Sequence, residues 1–388
     1  MRSFNLICIF VIMIASVQAV AAAETYVYST QWGKVGGGAG AGVGEFNEPA
    51  RIAFDTAGNV FVDDMSNNRI QKFDPVGTFL TTWGSEGVAD PPSAPGTFLS
   101  PMGVAVDSMD YLYVADRMIH RVQVMDPDQL WSIFGPSGPT ELLQPSDVAV
   151  DSNDNLYTVD WGHDRIRVFD IYGTPIGMWG TTGSGNGDLS GPRGIAIDGA
   201  DNVYVADTGN SRIQKFTLDG TYVTQWGAPG TDAGNFTEPW GVGTDATGNV
   251  YVADTGNNRV QKFDANGAYL ATIGGPGTGN GQFTGPYDVS VNSTGTVFVA
   301  DTGNNRVQLF DQGPAVLAVP PETALPTDTN GDGLYDDVNG NGRADFADVV
   351  LYFNQLSWIA ANEPLAPFDY NANGRIDFGD VVWLFNTL

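Results

Sequence analysis

The fold of this chain is decided by a phrase that occurs six times, most clearly at residues 251–263 as YVADTGNNRVQKF. Its aspartate and arginine recur as a pair, and a proline opens each unit, at Pro49, Pro101, Pro145, Pro192, Pro239 and Pro286. Successive prolines are 52, 44, 47, 47 and 47 residues apart. A period of several tens of residues is typical of repeat architectures, in which each unit is one supersecondary motif.

Every unit contains four short runs of apolar residues separated by turn residues. In the fifth unit these runs cover residues 241–244, 250–253, 260–263 and 269–273. Such runs predict four β-strands per unit. A four-stranded sheet cannot bury both faces alone, and this repeat length suits a propeller blade. We therefore expect six blades stacked around one axis.

The two ends of the array predict how the ring closes. The first five units end in an outer strand, which stops at Trp83, Phe134, Trp179, Trp226 or Ile273, whereas the sixth unit lacks one. A matching run, residues 26–33, lies at the other end of the array. We predict a mainly β, six-bladed β-propeller closed by its N-terminal strand, because closure leaves no open sheet edge.

Short motifs within the units resemble those of NHL-repeat propellers. The resemblance rests on Asn-Arg-Val/Ile triplets at residues 68–70, 258–260 and 305–307, and on Pro-x-Gly-Val/Ile-Ala-Val/Ile-Asp runs. It covers residues 25–313 and implies the propeller fold. Function stays open, because that family includes binding scaffolds, sensor ectodomains, RNA binders and a few lyases or lactonases.

Four segments are expected along the chain. Residues 1–23 combine a basic start, an apolar run and small alanines, which indicates a secretory signal peptide. Residues 24–313 form the propeller, residues 314–327 a Pro-rich linker, and residues 328–388 a separate calcium-binding module with α-helices. We expect an exported protein, secreted or associated with the cell surface, whose mature chain has no transmembrane segment.

Composition excludes several classes of function. The single cysteine, Cys8, lies in the predicted signal peptide, so the mature chain would have no disulfide, thiol nucleophile or cysteine metal site. The net charge is −28, from 45 acidic and 17 basic residues. This balance argues against nucleic acid as a partner, because binding a phosphate backbone requires a basic surface.

Two copies of a calcium-loop pattern occupy the C-terminal segment. Oxygen side chains stand at places one, three, five, nine and twelve, a backbone carbonyl at the seventh completes the shell, and a glycine at the sixth allows the sharp turn. These places hold Asp337, Asn339, Asn341, Arg343, Asp345 and Asp348 in the first loop, and Asp369, Asn371, Asn373, Arg375, Asp377 and Asp380 in the second. An oxygen-only shell of this kind predicts calcium as the cofactor.

The two loops, each followed by an amphipathic helical run, resemble a dockerin module. The resemblance implies calcium-dependent folding and docking onto a cohesin-type or other surface scaffold protein. Asn341 and Asn373 stand where dockerins usually have Asp, and Phe346 and Phe378 where they often have small polar residues, which leaves affinity and partner type open. The alternative is a module that only caps the propeller.

A related run lies just before the first loop and overlaps it. It repeats the ligand spacing with Asp328, Asn330, Asp332 and Asp336. Two roles stay open for this run: a third calcium site, or a partial site that stiffens the linker.

Within the propeller, residues that recur in all six units are expected to be scaffold, so function should lie where units differ. The second and third units differ most, and both histidines of the chain lie there. One reading is a ligand or metal patch of His120, Trp161, His163 and Asp164. The other is structural, with both histidines and Asp164 replacing the turn asparagines of the regular units.

A second variable set follows the blade-opening prolines, where innermost strands begin around the channel of a closed propeller. It comprises Arg51, Asp147, Arg193, Trp240, Tyr287 and Asp288, beside Ala50, Met102 and Ser146. Mixed charges beside aromatic rings suit a small polar ligand or a carbohydrate. Any one of these residues also fits a solvated rim.

Catalysis has weaker support in the sequence. Two histidines are too few for a three-histidine zinc site, and no serine lies in a Gly-x-Ser-x-Gly turn. Asp147 and Asp288 could act together on a glycosidic bond, but their units lie on opposite sides of the ring.

We therefore predict a secreted, non-catalytic binding or scaffold protein. Its propeller presents a ligand or protein-interaction surface, and its calcium-bound tail docks it onto a partner. The alternative is a secreted enzyme, a lyase, lactonase or carbohydrate-active protein, delivered to an extracellular complex by the same tail.

Overall fold

Residues 24–34, 38–87, 94–138 and 140–313 are described by a computed structural model of the protein. They form six four-stranded sheets, so the predicted mainly β, six-bladed propeller is confirmed. The predicted signal peptide, linker and calcium module fall in residues 1–23 and 314–388, which lie outside the described residues. No helix in the part that is described has the length and apolarity of a membrane span.

The strands follow the repeat. The first strand, β1 (Tyr26–Gly33), precedes the blades. Blade 1 contains β2 (Pro49–Phe54), β3 (Val60–Asp64), β4 (Arg69–Phe73) and β5 (Phe79–Trp83). Blade 2 contains β6 (Pro101–Val106), β7 (Leu112–Asp116), β8 (Arg121–Met125) and β9 (Trp131–Phe134). Blade 3 contains β10 (Asp147–Val150), β11 (Leu156–Asp160), β12 (Arg165–Phe169) and β13 (Pro175–Trp179).

The second half of the ring continues in the same way. Blade 4 contains β14 (Gly194–Ile197), β15 (Val203–Asp207), β16 (Arg212–Phe216) and β17 (Tyr222–Trp226). Blade 5 contains β18 (Pro239–Thr244), β19 (Val250–Asp254), β20 (Arg259–Phe263) and β21 (Tyr269–Ile273). A two-residue pair follows, β22 (Gly275–Pro276) and β23 (Gln282–Phe283). Blade 6 contains β24 (Asp288–Val291), β25 (Val297–Asp301) and β26 (Arg306–Gln312).

The N-terminal strand completes the sixth blade, as predicted. β1 pairs antiparallel with β26, with Trp32 opposite Val307. Trp32 is buried and stacks on Phe73 of blade 1, with ring centroids 5.3 Å apart. The closing strand therefore also packs against the next blade, which leaves the ring without an open edge at this point.

Each blade packs against its neighbours through apolar residues of its sheet faces. The second strand of every blade is buried along its whole length, which explains its nearly continuous apolar sequence. Between blades 4 and 5, for example, Tyr204 and Ile213 pack with Val250 and Phe263. The core of the propeller is thus divided into layers between blades.

The repeated phrase builds the turn between the second and third strands. In blade 5 the Asp254 carboxylate is fully buried and accepts hydrogen bonds from Thr237 N, Asn257 Nδ2, Arg259 Nε and Gln261 Nε2, at 2.7 to 3.1 Å. These donors balance the desolvation of a buried carboxylate. The recurring Asp, Asn, Arg and Gln of the phrase are therefore parts of one structural anchor.

The same turn needs one residue in the left-handed region. In the six blades that place is held by Asn68, His120, Asp164, Ser211, Asn258 and Asn305, with φ between 51° and 57°. Short polar side chains tolerate this conformation best. A three-residue 3₁₀ turn precedes it in each blade, and these turns and the blade-opening prolines lie on one face of the ring.

Candidate functional site

In blades 4, 5 and 6 the first residue of the 3₁₀ turn is a threonine that binds the next blade. Its hydroxyl donates to the carbonyl of the following blade-opening proline, from Thr208 to Pro239 (2.6 Å), from Thr255 to Pro286 (2.7 Å) and from Thr302 to Pro49 (2.7 Å). In blades 1, 2 and 3 the place is held by Met65, Arg117 and Trp161. These side chains have no hydroxyl group to make that hydrogen bond, and they change the surface around the channel.

Five side chains from five blades stack at the mouth of the channel, and we call them the mouth column: Arg117, Trp161, Arg193, Trp240 and Tyr287. The Arg193 guanidinium carbon lies 4.5 Å from the ring centroid of Trp161 and 4.4 Å from that of Trp240. Trp240 stacks on Tyr287 with centroids 3.9 Å apart. Arg117 lies over Trp161 at 5.4 Å. Cation–π and ring stacking therefore hold the column together.

Blades 1 and 2 supply an apolar wall beside this column. Ala50, Met65 and Met102 are buried together, and Trp240 and Tyr287 pack against them. The mouth thus combines aromatic and thioether surface with two guanidinium groups that lie against the tryptophan rings. Such a mixture is typical of small-molecule sites.

Arg51 crosses the channel below the mouth column. Its side chain is 2 % exposed, and it donates to the carbonyls of Tyr287 (2.6 Å) and Arg193 (2.8 Å). Its Nε lies 3.2 Å from Asp147 Oδ1 and its Nη1 lies 3.8 Å from Asp288 Oδ1. One arginine from blade 1 thereby joins the two carboxylates that blades 3 and 6 place on opposite sides of the ring.

Glycine makes room for this crossing. The six innermost strands place Arg51, Gly103, Asp147, Gly194, Gly241 and Asp288 at the same distance from the opening proline. A Cβ on Gly103 would lie 2.7 Å from the Asp147 Cα, and one on Gly241 would lie 2.6 Å from the Asp288 Cα. Below Arg51 a cavity of about 190 Å³ continues between the innermost strands, lined partly by Phe54, Val150 and Ile197.

The two carboxylates beside Arg51 differ from ordinary aspartates. Burial raises the pKa of Asp147 to about 7, although the Arg51 charge opposes the shift and the Asp288 charge adds to it. Burial also raises the pKa of Asp288, against the effect of Arg51. Both groups accept backbone hydrogen bonds, Asp147 from Ile195 N and Asp288 from Ile52 N, each at 3.0 Å.

A third buried carboxyl group lies close to this cluster. Asp63 is fully buried, and neither of its carboxyl oxygens has a hydrogen-bond partner within the described residues. Burial holds its pKa well above the ordinary value, with Asp64 adding and Arg51 opposing. Burial without a hydrogen-bond partner therefore favours the protonated, neutral form of Asp63.

Both histidines occupy turn positions of the scaffold. The Nδ1 of His120 accepts a hydrogen bond from Gln144 N at 3.0 Å, as the Asn258 side chain does from Gly285 N at 2.8 Å. The Nδ1 of His163 lies 2.9 Å from Asp160, as the Nδ2 of Asn257 does from Asp254. The structure thus gives these histidines the contacts that asparagines make in regular blades.

The predicted patch of His120, Trp161, His163 and Asp164 is divided between two roles. Asp164 also acts in the scaffold, since it accepts hydrogen bonds from Gly191 N (2.6 Å) and Thr182 Oγ1 (2.7 Å). Trp161 instead lies in the mouth column with Arg193, Trp240 and Tyr287 of the second predicted set. Arg51, Asp147 and Asp288 lie together one level below.

Three residues of this region were not predicted, and one signal in the sequence could have found all three. When the units are compared position by position, Met65 and Arg117 replace the threonine that follows the aspartate of the anchor in blades 4 to 6. Asp63 directly precedes the anchor aspartate of blade 1, where the other blades have alanine or valine. All three depart from the repeat, which is the criterion that selected Trp161.

Among the described residues, no group of three or more His, Cys, Asp or Glu side chains is placed to hold a metal ion. The predicted calcium ligands, from Asp328 to Asp380, lie outside the described residues. Calcium binding therefore stays a prediction from the sequence.

Comparison with known proteins identifies the repeat. Residues 142–169, 189–216, 236–263 and 283–310 match the NHL repeat. The chain is 41% identical over 86 residues to a peptidylglycine alpha-amidating monooxygenase of Rattus norvegicus, and 40% identical to that of Mus musculus. Each match covers 21% of this chain and 9% of the relative, so the chain spans only a small part of their length.

Solved structures show the same fold at low sequence identity. A Bacteroides thetaiotaomicron protein of unknown function has a TM-score of 0.57 at 20% identity, covering 75% of this chain and 76% of that one. A Xanthomonas campestris gluconolactonase has a TM-score of 0.53 at 17% identity, covering 69% and 87%. A streptogramin B lyase gives 0.51 at 13%, covering 69% and 94%. The described part of this chain is therefore a six-bladed β-propeller that contains NHL repeats.

Proposed function

We propose that this protein is a non-catalytic binding protein whose propeller holds a small polar ligand at the mouth of its channel. The mouth column carries this proposal, because aromatic rings and guanidinium groups replace the scaffold residues of regular blades there. Arg51 crosses the channel directly below the column and donates to the carbonyls of Tyr287 and Arg193, so it closes the channel beneath a bound ligand. Concave sites with few polar groups and aromatic walls are typical of small-molecule binding.

The contacts of the histidines favour binding over catalysis. In the described propeller the Nδ1 atom of each histidine is engaged in a turn of the scaffold, by Gln144 N for His120 and by Asp160 for His163. The likeness to a lyase and a gluconolactonase lies below 25% identity and concerns the fold alone. The carboxylates of Asp147 and Asp288, which the secreted-enzyme alternative would use, are instead engaged by Arg51 and by backbone N–H groups below the mouth.

In the same proposal the protein is exported, and residues 328–388 bind calcium and attach the propeller to a cohesin-type or other surface partner. The support is the duplicated ligand pattern from Asp337 and from Asp369. Metal binding and folding are coupled in small modules of this type. Removal of calcium should therefore release the partner and leave the propeller intact.

One crossed experiment tests both parts on the mature chain, residues 24–388. The variants are Trp161→Thr, which installs the residue of blades 4 to 6, and Asp337→Ala with Asp369→Ala. Partner capture from the host's secreted and envelope fractions is measured with calcium and with chelator. Ligand binding is measured by ligand-observed NMR against neutral sugars, organic acids and short peptides.

We expect Trp161→Thr to abolish ligand binding and to keep calcium-dependent capture, and the double aspartate variant to do the opposite. Trp83→Thr, which removes an aromatic ring from the outer strand of blade 1, is the control and should keep both. Capture that is indifferent to calcium would refute the tail's role. Binding that survives in Trp161→Thr, or a panel without any binder, would refute the mouth as the site.

A further inference from the structure

The mouth column contains the two arginines of the described residues that have no ion pair with a carboxylate. The described residues include ten arginines, and eight of them pair with an aspartate or glutamate: Arg51, Arg69, Arg121, Arg165, Arg167, Arg212, Arg259 and Arg306. The other two are Arg117 and Arg193, and both lie over the same ring, Trp161. In a chain of net charge −28, two neighbouring cations without an ion-pair partner require an explanation.

Each of the two guanidinium groups also has one buried N–H that lacks a hydrogen-bond acceptor among the described residues. Arg117 Nε and Arg193 Nη1 are buried and have no partner in the part of the protein that is described. Each guanidinium offers five N–H donors in a planar fork. A buried donor without an acceptor costs about 1–3 kcal/mol, and stacking on tryptophan compensates for part of this cost only.

The charges of the two arginines act against each other. Burial lowers the pKa of Arg193 to about 10, and the charges of Arg117 and Arg51 contribute to this shift. Burial likewise lowers the pKa of Arg117. Both groups remain charged at neutral pH, so the mouth concentrates positive charge that an anion would relieve.

The surroundings limit the kind of anion. The charge of Glu48 raises the pKa of Tyr287 and that of Glu238 raises the pKa of Arg193. These carboxylates offset part of the positive charge at the mouth, so a ligand with one negative charge fits better than a ligand with two. The apolar wall of Met65 and Met102 and the rings of Trp240 and Tyr287 suit an organic ring. A planar carboxylate matches the guanidinium fork better than any neutral group.

We propose that the mouth column binds a small organic acid, a single carboxylate attached to a ring, with Arg117 and Arg193 receiving the carboxylate. This inference rests on the proposed function and specifies its ligand class. An acidic sugar and an aromatic acid share this chemistry, so both are tested. Arg193 and Trp161 hold each other in place, and the carboxylate supplies the missing counter-charge.

The test uses the mature chain and four probes: galacturonate, its neutral counterpart galactose, benzoate, and its neutral counterpart benzyl alcohol. Affinities are measured by titration calorimetry for wild type, Arg117→Gln and Arg193→Gln. Arg167→Gln is the matched control, because Arg167 also lies over an aromatic ring but already pairs with Glu141. Circular dichroism establishes that each variant is folded.

We expect at least one acid to bind at least tenfold more tightly than its neutral counterpart. Each mouth variant should weaken that acid about tenfold or more, the range of a charge-assisted hydrogen bond, and the control should not. Arg193→Lys keeps the charge without the fork and should fall between wild type and Arg193→Gln. Equal affinity for an acid and its neutral counterpart, or unchanged affinity in both glutamine variants, would contradict the carboxylate ligand but not the proposed binding site. The same conclusion would follow if neither acid binds while another compound of the wider panel binds in a way that requires Trp161.

Discussion

Blades 4 to 6 and blades 1 to 3 share the same anchor but differ at the channel mouth. In both halves a buried aspartate pairs with the arginine five residues later, at 2.6 to 3.2 Å between carboxylate oxygen and Nε. In blades 4 to 6 a threonine then ties each blade to the next. In blades 1 to 3 this place is given to Met65, Arg117 and Trp161.

The difference shows which contacts a blade needs and which it can give up. The anchor satisfies a carboxylate with no exposed surface, so its loss would leave charged groups buried without partners. The threonine contact is one hydrogen bond between neutral groups, worth about 1 kcal/mol. A binding site at the mouth can therefore evolve with the loss of only the threonine hydrogen bond, the weaker of the two contacts.

The anchor should be equally necessary in both halves. We expect Asp254→Ala in blade 5 and Asp160→Ala in blade 3 each to lower the free energy of unfolding by about 3–5 kcal/mol, the range for removing one partner of a buried ion pair. Urea denaturation followed by tryptophan fluorescence measures the change. Asp128→Ala, at an exposed position, is the control and should change stability little. A much smaller loss for Asp160→Ala would show that the scaffolds of the halves also differ.

Asp63 is a departure that should reduce stability. The substitution Asp63→Ala installs the residue of blades 2, 4, 5 and 6. We expect it to raise the free energy of unfolding by about 2 kcal/mol at pH 8, because the buried Asp63 carboxyl group has no hydrogen-bond partner among the described residues. The folded-state pKa of Asp63 is raised, so the folded protein holds a proton that the unfolded chain releases above about pH 4.

The sign of the pH dependence follows from this proton. The contribution of Asp63 to stability is greatest below the unfolded pKa and is lost as pH rises toward the folded pKa. The stabilisation by Asp63→Ala should therefore be larger at pH 8 than at pH 4, when both proteins are compared by urea denaturation. A constant difference, or a destabilised variant at pH 8, would mean that Asp63 has an interaction that compensates its burial.

His120→Asn should have the smallest effect, because Asn makes the same turn in blades 1, 5 and 6. Burial lowers the pKa of His120, so its contribution is present above the unfolded pKa near 6.5 and is lost as pH falls through the folded pKa. We expect a change within about 0.5 kcal/mol at pH 8, and a modest stabilisation at pH 5. A large loss of stability or of ligand binding at pH 8 would assign His120 a role beyond the turn.

Most of the propeller could be predicted because the repeat aligns the chain with itself. Strand number, blade number and closure by residues 26–33 follow from periodicity, since each blade needs the same alternation and the same turn. The contacts of the anchor could be assigned to scaffold for the same reason. Register details, such as the shifts beside Phe73 and Phe216 in the outer strands, were not predictable, because they depend on local bulges.

The candidate site could be predicted only in part. Departures from the repeat selected Trp161, Arg193, Trp240 and Tyr287, but their stacking across blades depends on three-dimensional distances between turns and strand starts. The bridge from Arg51 to Asp147 and Asp288 was hidden for a related reason. The sequence places these residues on opposite sides of a ring, and only the length of one side chain brings them together.

The pairing of β1 with β26 also sets an order of events. Tyr26 lies opposite Gln312, so β1 has no partner strand until almost the whole propeller has been synthesised. Blades can form locally from their own hairpins, but pairing between distant segments is slow to form. During that interval β1 and the edge of blade 6 are open to pairing with other chains. Ring closure is therefore the late step of folding, and a chain shortened at either end of residues 24–313 would have blades without a ring.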